Sequence, residues 1–234
     1  MGVRRTGTGQ DETGQDETGQ DELSPLARRH EEYVRRGLTE SDLDPDPLVQ
    51  FGRWHTDARA AGVPEPDGMV VSTVGADGAP SSRSVLVRRV DGRGFVFHSN
   101  RRSRKGAELA ANPACALLFP WYAIGRQVKV TGVAEPLDDE ASDAYFAGRP
   151  RGSQLSAWTS EQSAPVAGRA ELEQRRAEVE AEFAGRDVPR PAHWGGYLVV
   201  PGAIEFWQSR PDRLHDRLRY RRQGGTWTVQ RLAP

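Results

Sequence analysis

The segment from Ile204 to Arg222, I-E-F-W-Q-S-R-P-D-R-L-H-D-R-L-R-Y-R-R, crowds aromatic, cationic and imidazole groups into one alternating stretch. Successive side chains of a strand point to opposite sides, so Glu205, Trp207, Arg213, His215 and Arg217 would share one face wherever the chain is extended. The tightest group is Arg213, His215 and Arg217, two guanidiniums and a titratable ring at spacing two. Such a set suits an anionic, planar ligand: a guanidinium grips oxyanions through paired N–H bonds, and imidazole can hydrogen-bond a ring substituent. The spacing leaves the ligand's identity open.

Positioning these groups is the task of a strand-rich scaffold. A proline at position 47, just after Asp46, opens a helix running to about Ala61, with Leu48, Phe51, Trp54 and Ala58 as its apolar stripe. M-V-V-S-T-V, S-V-L-V-R-R-V and G-F-V-F-H-S then read as strands of an antiparallel meander, with turns at Ala76-Asp77-Gly78 and Asp91-Gly92. A short helix from Ser103 to Ala111 stops at Asn112-Pro113, and A-L-L-F and Q-V-K-V-T-G-V-A-E return to strand. Helices are expected at 138–147 and 171–183; an ordinary basic loop after the first is the alternative reading of Arg149 and Arg151 in R-P-R-G-S-Q. The final third, G-Y-L-V-V-P, A-I-E-F-W-Q, R-L-R-Y-R-R and T-W-T-V-Q-R-L, is strand again. Close strands with turn signals and a few helices indicate a mainly β, α+β fold: a small β-barrel with helical decoration.

Composition narrows the function classes. With 234 residues, 36% hydrophobic and 28% charged, the chain can build one domain with a proper core. Residues 8–22 are three copies of T-G-Q-D-E, a polar repeat with nothing to bury, so 1–25 is expected as a disordered tail and 26–234 as the single domain. A net charge of -1, from 32 basic and 33 acidic residues, gives no whole-molecule attraction to nucleic acid or an anionic membrane. No apolar run approaches the roughly 20 residues of a membrane span, and no secretory signal is legible, so the expected location is the cytoplasm. The single cysteine, Cys115, lies in A-C-A-L-L-F and reads as a buried structural thiol. The five histidines show no H-x-x-x-H or close cysteine partner, which argues against a metal site. Neither G-x-G-x-x-G nor G-x-x-x-x-G-K-[ST] occurs, so nicotinamide and nucleoside triphosphate readings drop out.

The E-F-W-Q-x4-R-L-H-D-R run at Glu205 resembles the C-terminal motif of the pyridoxamine 5'-phosphate oxidases, and the resemblance extends from about Arg29 to Pro234. It includes R-x-V-L at Arg83, S-R-K at Ser103, R-Q-V at Arg126, Y-F-x-x-R-P-R-x-S-Q at Tyr145, Q-S at Gln162, W-G-G at Trp194 and the terminal R-L-A-P. The ordered set, more than any one piece, identifies the family. It implies an FMN-binding split β-barrel, built as a homodimer with FMN at the subunit interface. It further implies oxidation of pyridoxine 5'-phosphate and pyridoxamine 5'-phosphate by O2 to pyridoxal 5'-phosphate and H2O2.

By the same resemblance, Arg83 matches the arginine on the FMN phosphate, with Ser84, Val85, Leu86 and Arg88 running along the flavin. Arg104 and Lys105 match two more FMN contacts, where the positive end of a helix favours a phosphate. His98, Ser99, Gln127, Gln162, Ser163, Trp207 and Arg217 match the remaining cofactor positions. Tyr145, Arg149 and Ser153, with Arg88, match the substrate-phosphate cluster, and a phenol, guanidinium and hydroxyl can all donate to phosphate oxygens. Arg213 and His215 match the catalytic pair that holds the substrate ring so that its C4' faces the flavin; Glu205 is read as structural. Three positions depart from the pattern. Arg88 stands where many relatives have lysine, His98-Ser99 where a phenol and threonine are common, and His30 where an arginine helps close an N-terminal lid that retains Tyr33. Two other functions fit the same residues: a flavin oxidase for another planar anion, of the phenazine type, and a non-catalytic flavin or pyridoxal-phosphate carrier.

Overall fold

The computed structural model describes residues 36–234 together with the isolated positions Gly2, Arg28 and Glu31. The T-G-Q-D-E repeat, His30 and Tyr33 lie outside the described residues. Asp46 caps helix α1 (Pro47–Ala60), its side chain accepting from the Leu48 N–H at 2.8 Å, and Pro47 fills the first helical position where no N–H is required. The buried stripe of α1 enters the core: Phe51 meets Phe95 and Phe119 edge-on at 4.9 and 4.7 Å, and Trp54 meets Phe206 at 5.0 Å.

That core is enclosed by nine strands: β1 (Gly68–Val74), β2 (Pro80–Leu86), β3 (Arg89–Asp91), β4 (Gly94–Asn100), β5 (Ala114–Trp121), β6 (Arg126–Pro136), β7 (Trp194–Gln208), β8 (Asp216–Gln223) and β9 (Thr226–Arg231). All pairings are antiparallel, in the order β2-β1-β5-β6-β7-β4-β3, and the β8–β9 hairpin continues from β7. The expected meander is therefore corrected. S-V-L-V-R-R-V divides after Leu86, because β2 pairs back on β1 while β3 turns to pair with β4. Two separate hairpins result, at opposite ends of the strand order. The sheet curls into the expected partly closed barrel.

Strand β7 unifies the architecture. G-Y-L-V-V-P and A-I-E-F-W-Q form one 15-residue strand that pairs with β6 along its length, with β4 before Pro201 and with β8 after it. Proline has no N–H for a ladder, so the change of partner falls where none is needed. Opposite it the β6 register shifts between Thr131 and Gly132. A side chain on Gly132 would bring its Cβ to 2.2 Å from the Val200 carbonyl oxygen, so the bulge admits only glycine.

Helices decorate one side: α2 (Arg104–Ala111), α3 (Asp139–Ala147), α4 (Arg151–Thr159) and α5 (Arg169–Glu182). The alternative reading of R-P-R-G-S-Q as a basic loop does not hold for its second half, since Arg151 to Gln154 begin α4 directly after Pro150. A proline ahead of the first turn is a legitimate helix start. No helix of the described residues is long and apolar enough to cross a membrane.

Candidate active site

A cleft of about 670 Å³ lies where the C-terminal half of β2, the end of β4, the start of α2 and the α3–α4 corner converge. Arg83, Ser84, Val85, Leu86 and Arg88 line one wall; His98, Ser99, Arg104 and Lys105 another; Tyr145, Arg149 and Ser153 a third; Gln162 and Ser163 close the rim. These are sequence-predicted positions drawn from distant parts of the chain.

At the α2 end sits a cradle of cations. Ser103 caps the helix, accepting from the Gly106 N–H, and Gly106 is obligatory because a Cβ there would lie 2.1 Å from the Arg101 carbonyl oxygen. Lys105 is only 6% exposed, and its Nζ donates to Gln162 Oε1 (2.8 Å), Ser99 Oγ (2.9 Å) and Ser103 Oγ (3.2 Å), all neutral acceptors. Burial, with Arg83 nearby, pushes the ammonium down to about 8. The countercharge is Glu108, which the sequence reading missed; its one signal was the four-residue spacing from Arg104. Its Oε1 accepts from Arg104 Nε at 2.8 Å, and its Oε2 accepts from Ser81 Oγ at 2.6 Å, from Thr73 Oγ1 and from Arg83 Nη2 at 3.2 Å. Hydrogen bonds from Ser81 and Thr73 outweigh burial and hold the carboxyl at about 2. Arg83 is thus oriented by protein groups: Nη1 donates to Thr73 Oγ1 (2.6 Å) and the Val71 carbonyl, and Nη2 to Ser81 Oγ and Glu108.

Opposite the cradle stands an aromatic and cationic cluster. The His98 and Tyr145 rings stack at 3.8 Å, nearly parallel, with Trp194 beside them at 5.3 Å from His98. The Arg149 guanidinium lies 4.5 Å over the Trp194 ring, and its Nη1 is buried without a hydrogen-bond partner. Burial pushes the His98 imidazole down to about 4, with Arg149, Arg88 and Arg89 adding repulsion. Trp194 belongs to the W-G-G motif, yet sequence reasoning gave it no role. On the rim, Ser163 has a left-handed φ of 80° and accepts from the Arg104 N–H at 3.2 Å.

Gln127, Trp207, Arg213, His215 and Arg217 do not line this cleft. Nor are they one extended segment: β7 ends at Gln208, β8 begins at Asp216, and Asp212 and Arg213 both take left-handed φ, 55° and 61°, in the connecting turn. The shared face arises across strands, where Gln127 opposes Trp207 and Trp207 opposes Arg217. Beside that row, Glu205 pairs with Arg217 Nε and Lys129 Nζ, each at 2.8 Å. Although burial pushes the Glu205 carboxyl up, these cations hold it low. His215 packs against Trp207 at 4.6 Å. The cleft and this aromatic and cationic strip are thus built from different residues.

Residues 55–183 match the family described as pyridoxamine 5'-phosphate oxidase, and residues 194–234 match its C-terminal dimerisation region. A pyridoxine/pyridoxamine 5'-phosphate oxidase of Rubrobacter xylanophilus is 56% identical over 209 residues, spanning 89% of this chain and 96% of the relative. Another, of Thermosynechococcus vestitus, is 54% identical over 91% of this chain and 100% of its own length. Among solved structures, PhzG of Burkholderia lata, in complex with tetrahydrophenazine-1-carboxylic acid, superposes with a TM-score of 0.79 at 34% identity, covering 84% of this chain and 98% of its own. An FMN-binding protein of Nostoc punctiforme shares the fold at 15% identity with a TM-score of 0.65, over 82% of this chain and 100% of its own.

Proposed function

The chain belongs to the pyridoxamine 5'-phosphate oxidase family of oxidoreductases, and on that premise we propose that it oxidises pyridoxine 5'-phosphate and pyridoxamine 5'-phosphate with O2 to pyridoxal 5'-phosphate and H2O2. Ammonia leaves from the amine substrate. The observation that carries this reading is the pairing, in one cleft, of two separate anion-receiving clusters: Arg83, Arg104 and Lys105 at the α2 start, and Arg88, Arg149, Tyr145 and Ser153 at the α3–α4 corner. A phosphorylated cofactor and a phosphorylated substrate need one each.

The residues present fit FMN. A buried ammonium whose contacts are all neutral oxygens is an uncompensated charge awaiting an anion, and the α2 N-terminus adds favourable field. Lys105 and Arg104 would hold the phosphate, with Arg83 supplying field and its Nε; Ser84 to Leu86 would lie along the ring system, and Ser99, Gln162 and Ser163 offer polar edges. When bound, FMN supplies the two-electron acceptor that O2 regenerates. The chain's own groups contribute positioning. Arg149, Tyr145 and Ser153 receive the substrate phosphate, and Arg88 adds a second guanidinium.

Arg213 and His215 orient the substrate ring, and the homodimer brings them to the cleft. The strip of Gln127, Trp207, Arg213, His215 and Arg217 lies partly in the matched dimerisation region, so each cleft is completed by the other subunit. The relationship to PhzG sustains a second reading, an oxidase for a planar carboxylate. The Arg88–Arg149–Ser153 cluster favours the phosphate ester. Oxygen uptake by the FMN-loaded protein on both vitamers, with pyridoxal 5'-phosphate followed in parallel, tests the proposal. Uptake matched to product is the expected result; bound FMN without uptake on either vitamer would overturn it.

A further inference from the structure

We infer that His98 acts through the face of its ring: it positions Tyr145, and with it the substrate-phosphate cluster. The inference rests on the proposed function, in which Tyr145 and Arg149 receive the phosphate. His98 and Tyr145 stack with centroids 3.8 Å apart and planes 7° apart, and Trp194 lies parallel to both, within 11° and 8°. Both His98 nitrogens are buried, and neither has a hydrogen-bond partner among the described residues. An imidazole with two unsatisfied nitrogens is a costly choice for filling space. Here the flat face is what the surroundings require.

The geometry explains why. His98 stands opposite Gly196 on β7, where a Cβ would come within 2.9 Å of His98 Nε2 and 2.6 Å of Leu137 Cδ1. The bare glycine leaves room for the ring, which lies between the sheet and Tyr145. Helix α3 is fastened from its other side by Arg190, which donates to Asp143 (2.6 Å), Asp139 (2.9 Å) and the Trp194 carbonyl (2.6 Å). With the helix fixed, the remaining freedom of the Tyr145 side chain is set by the surface it leans on. Arg149, four residues beyond Tyr145 and in neither strand nor helix, leans in the same way on Trp194. The two phosphate donors thus rest on two rings of one parallel stack. Burial and the neighbouring guanidiniums of Arg149, Arg88 and Arg89 keep the imidazole neutral, which agrees with a role for its face.

The test is steady-state kinetics of FMN-loaded His98→Ala and His98→Phe on pyridoxamine 5'-phosphate, beside a titration of each with pyridoxal 5'-phosphate followed by absorbance. Loss of the stack in His98→Ala, assayed at saturating FMN because His98 also matches a cofactor position, should raise KM and the product Kd roughly two- to tenfold, the range measured for aromatic pairs, with a smaller change in kcat. His98→Phe, which keeps a flat ring and has no nitrogen, should restore both to near wild type. Should His98→Ala fold poorly, His98→Leu fills the space without a flat face and carries the same expectation. The inference is overturned if His98→Phe is as impaired as His98→Ala, if the loss falls on kcat, or if KM and Kd do not move. A wild-type protein that binds pyridoxal 5'-phosphate but does not turn over would refute the oxidase reading, and the titration would still decide the role of His98.

Discussion

Replacing Lys105 by methionine separates what the cradle costs from what it binds. Lys105 is 6% exposed, and burial lowers its ammonium from the ordinary 10.5 to about 8. A depressed lysine binds its proton less readily in the fold than in the unfolded chain. Stability of the apoprotein therefore rises with pH between about 8 and 10.5, and below 8 the whole penalty is present. That gap corresponds to about 3 kcal/mol at pH 7. Lys105→Met removes the penalty and forfeits three hydrogen bonds; Gln162 is exposed and regains water, so the net loss is about 1 kcal/mol. The variant apoprotein should gain about 2 kcal/mol, or roughly 4–8 °C in Tm for a domain of this size. Its advantage should shrink above pH 8, where wild-type Lys105 is already neutral. FMN affinity should move the other way. It should weaken at least ~tenfold at pH 7 in the variant, and in wild type fall by up to ~tenfold per pH unit above 8, because a phosphate stabilises the charged form. Calorimetry on the apoprotein and fluorescence titration with FMN measure both. A variant that melts below wild type at pH 7 while binding FMN unchanged would refute the reasoning.

Glu108→Gln should cost about 3 kcal/mol at neutral pH, because the carboxylate, held at about 2, contributes stability that is present above 4.5 and lost as pH falls through 2. Urea midpoints followed from pH 7 to 2 should show the deficit closing below 4.5, and a pH-independent deficit would contradict it. Gly132→Ala should lower stability by more than about 2 kcal/mol, since the obstructing atom is the Val200 carbonyl oxygen and not a movable side chain; an unchanged Tm would show that the bulge yields. Arg213→Ala and Arg149→Ala chains should each be nearly inactive alone but regain activity when co-refolded, at about a quarter of the sites, if each cleft takes its strip from the other subunit. No recovery in verified mixed dimers would place all these residues in one chain's site.

Local rules made much of this fold legible. Asp46-Pro47 announces α1, Ser103 announces α2, and the runs M-V-V-S-T-V and A-L-L-F announce β1 and β5. The errors fall where partner choice overrides local pattern. Leu86 and Arg89 belong to one apolar run but to different hairpins, and α4 hides behind a proline that reads equally as loop. Family resemblance named the candidate residues, and the fold divides them between the cleft and the strip. Alternation put Trp207, Arg213, His215 and Arg217 on one face wherever the chain is extended, whereas the chain turns between Gln208 and Asp216 and only cross-strand register aligns Trp207 with Arg217.

Arg83 shows what a motif leaves out. Resemblance assigns it to the cofactor phosphate, yet both its terminal nitrogens are committed to Thr73, Val71, Ser81 and Glu108, which leaves Nε as its donor without a partner among the described residues. No sequence spacing links Glu108 on α2 to Thr73 and Ser81, which the β1–β2 hairpin brings together. The carboxylate fixes the guanidinium before any anion arrives, so its orientation need not be organised at the moment of binding. Lys105 carries the opposite arrangement, a charge with no contacting countercharge, and bears the desolvation cost in advance. The cradle thus sets two guanidiniums held by Glu108, those of Arg83 and Arg104, beside one uncompensated cation, Lys105. On this physics affinity for a phosphate should depend on the charge of Lys105 and on the geometry of Arg83, which the Lys105 and Glu108 variants address separately.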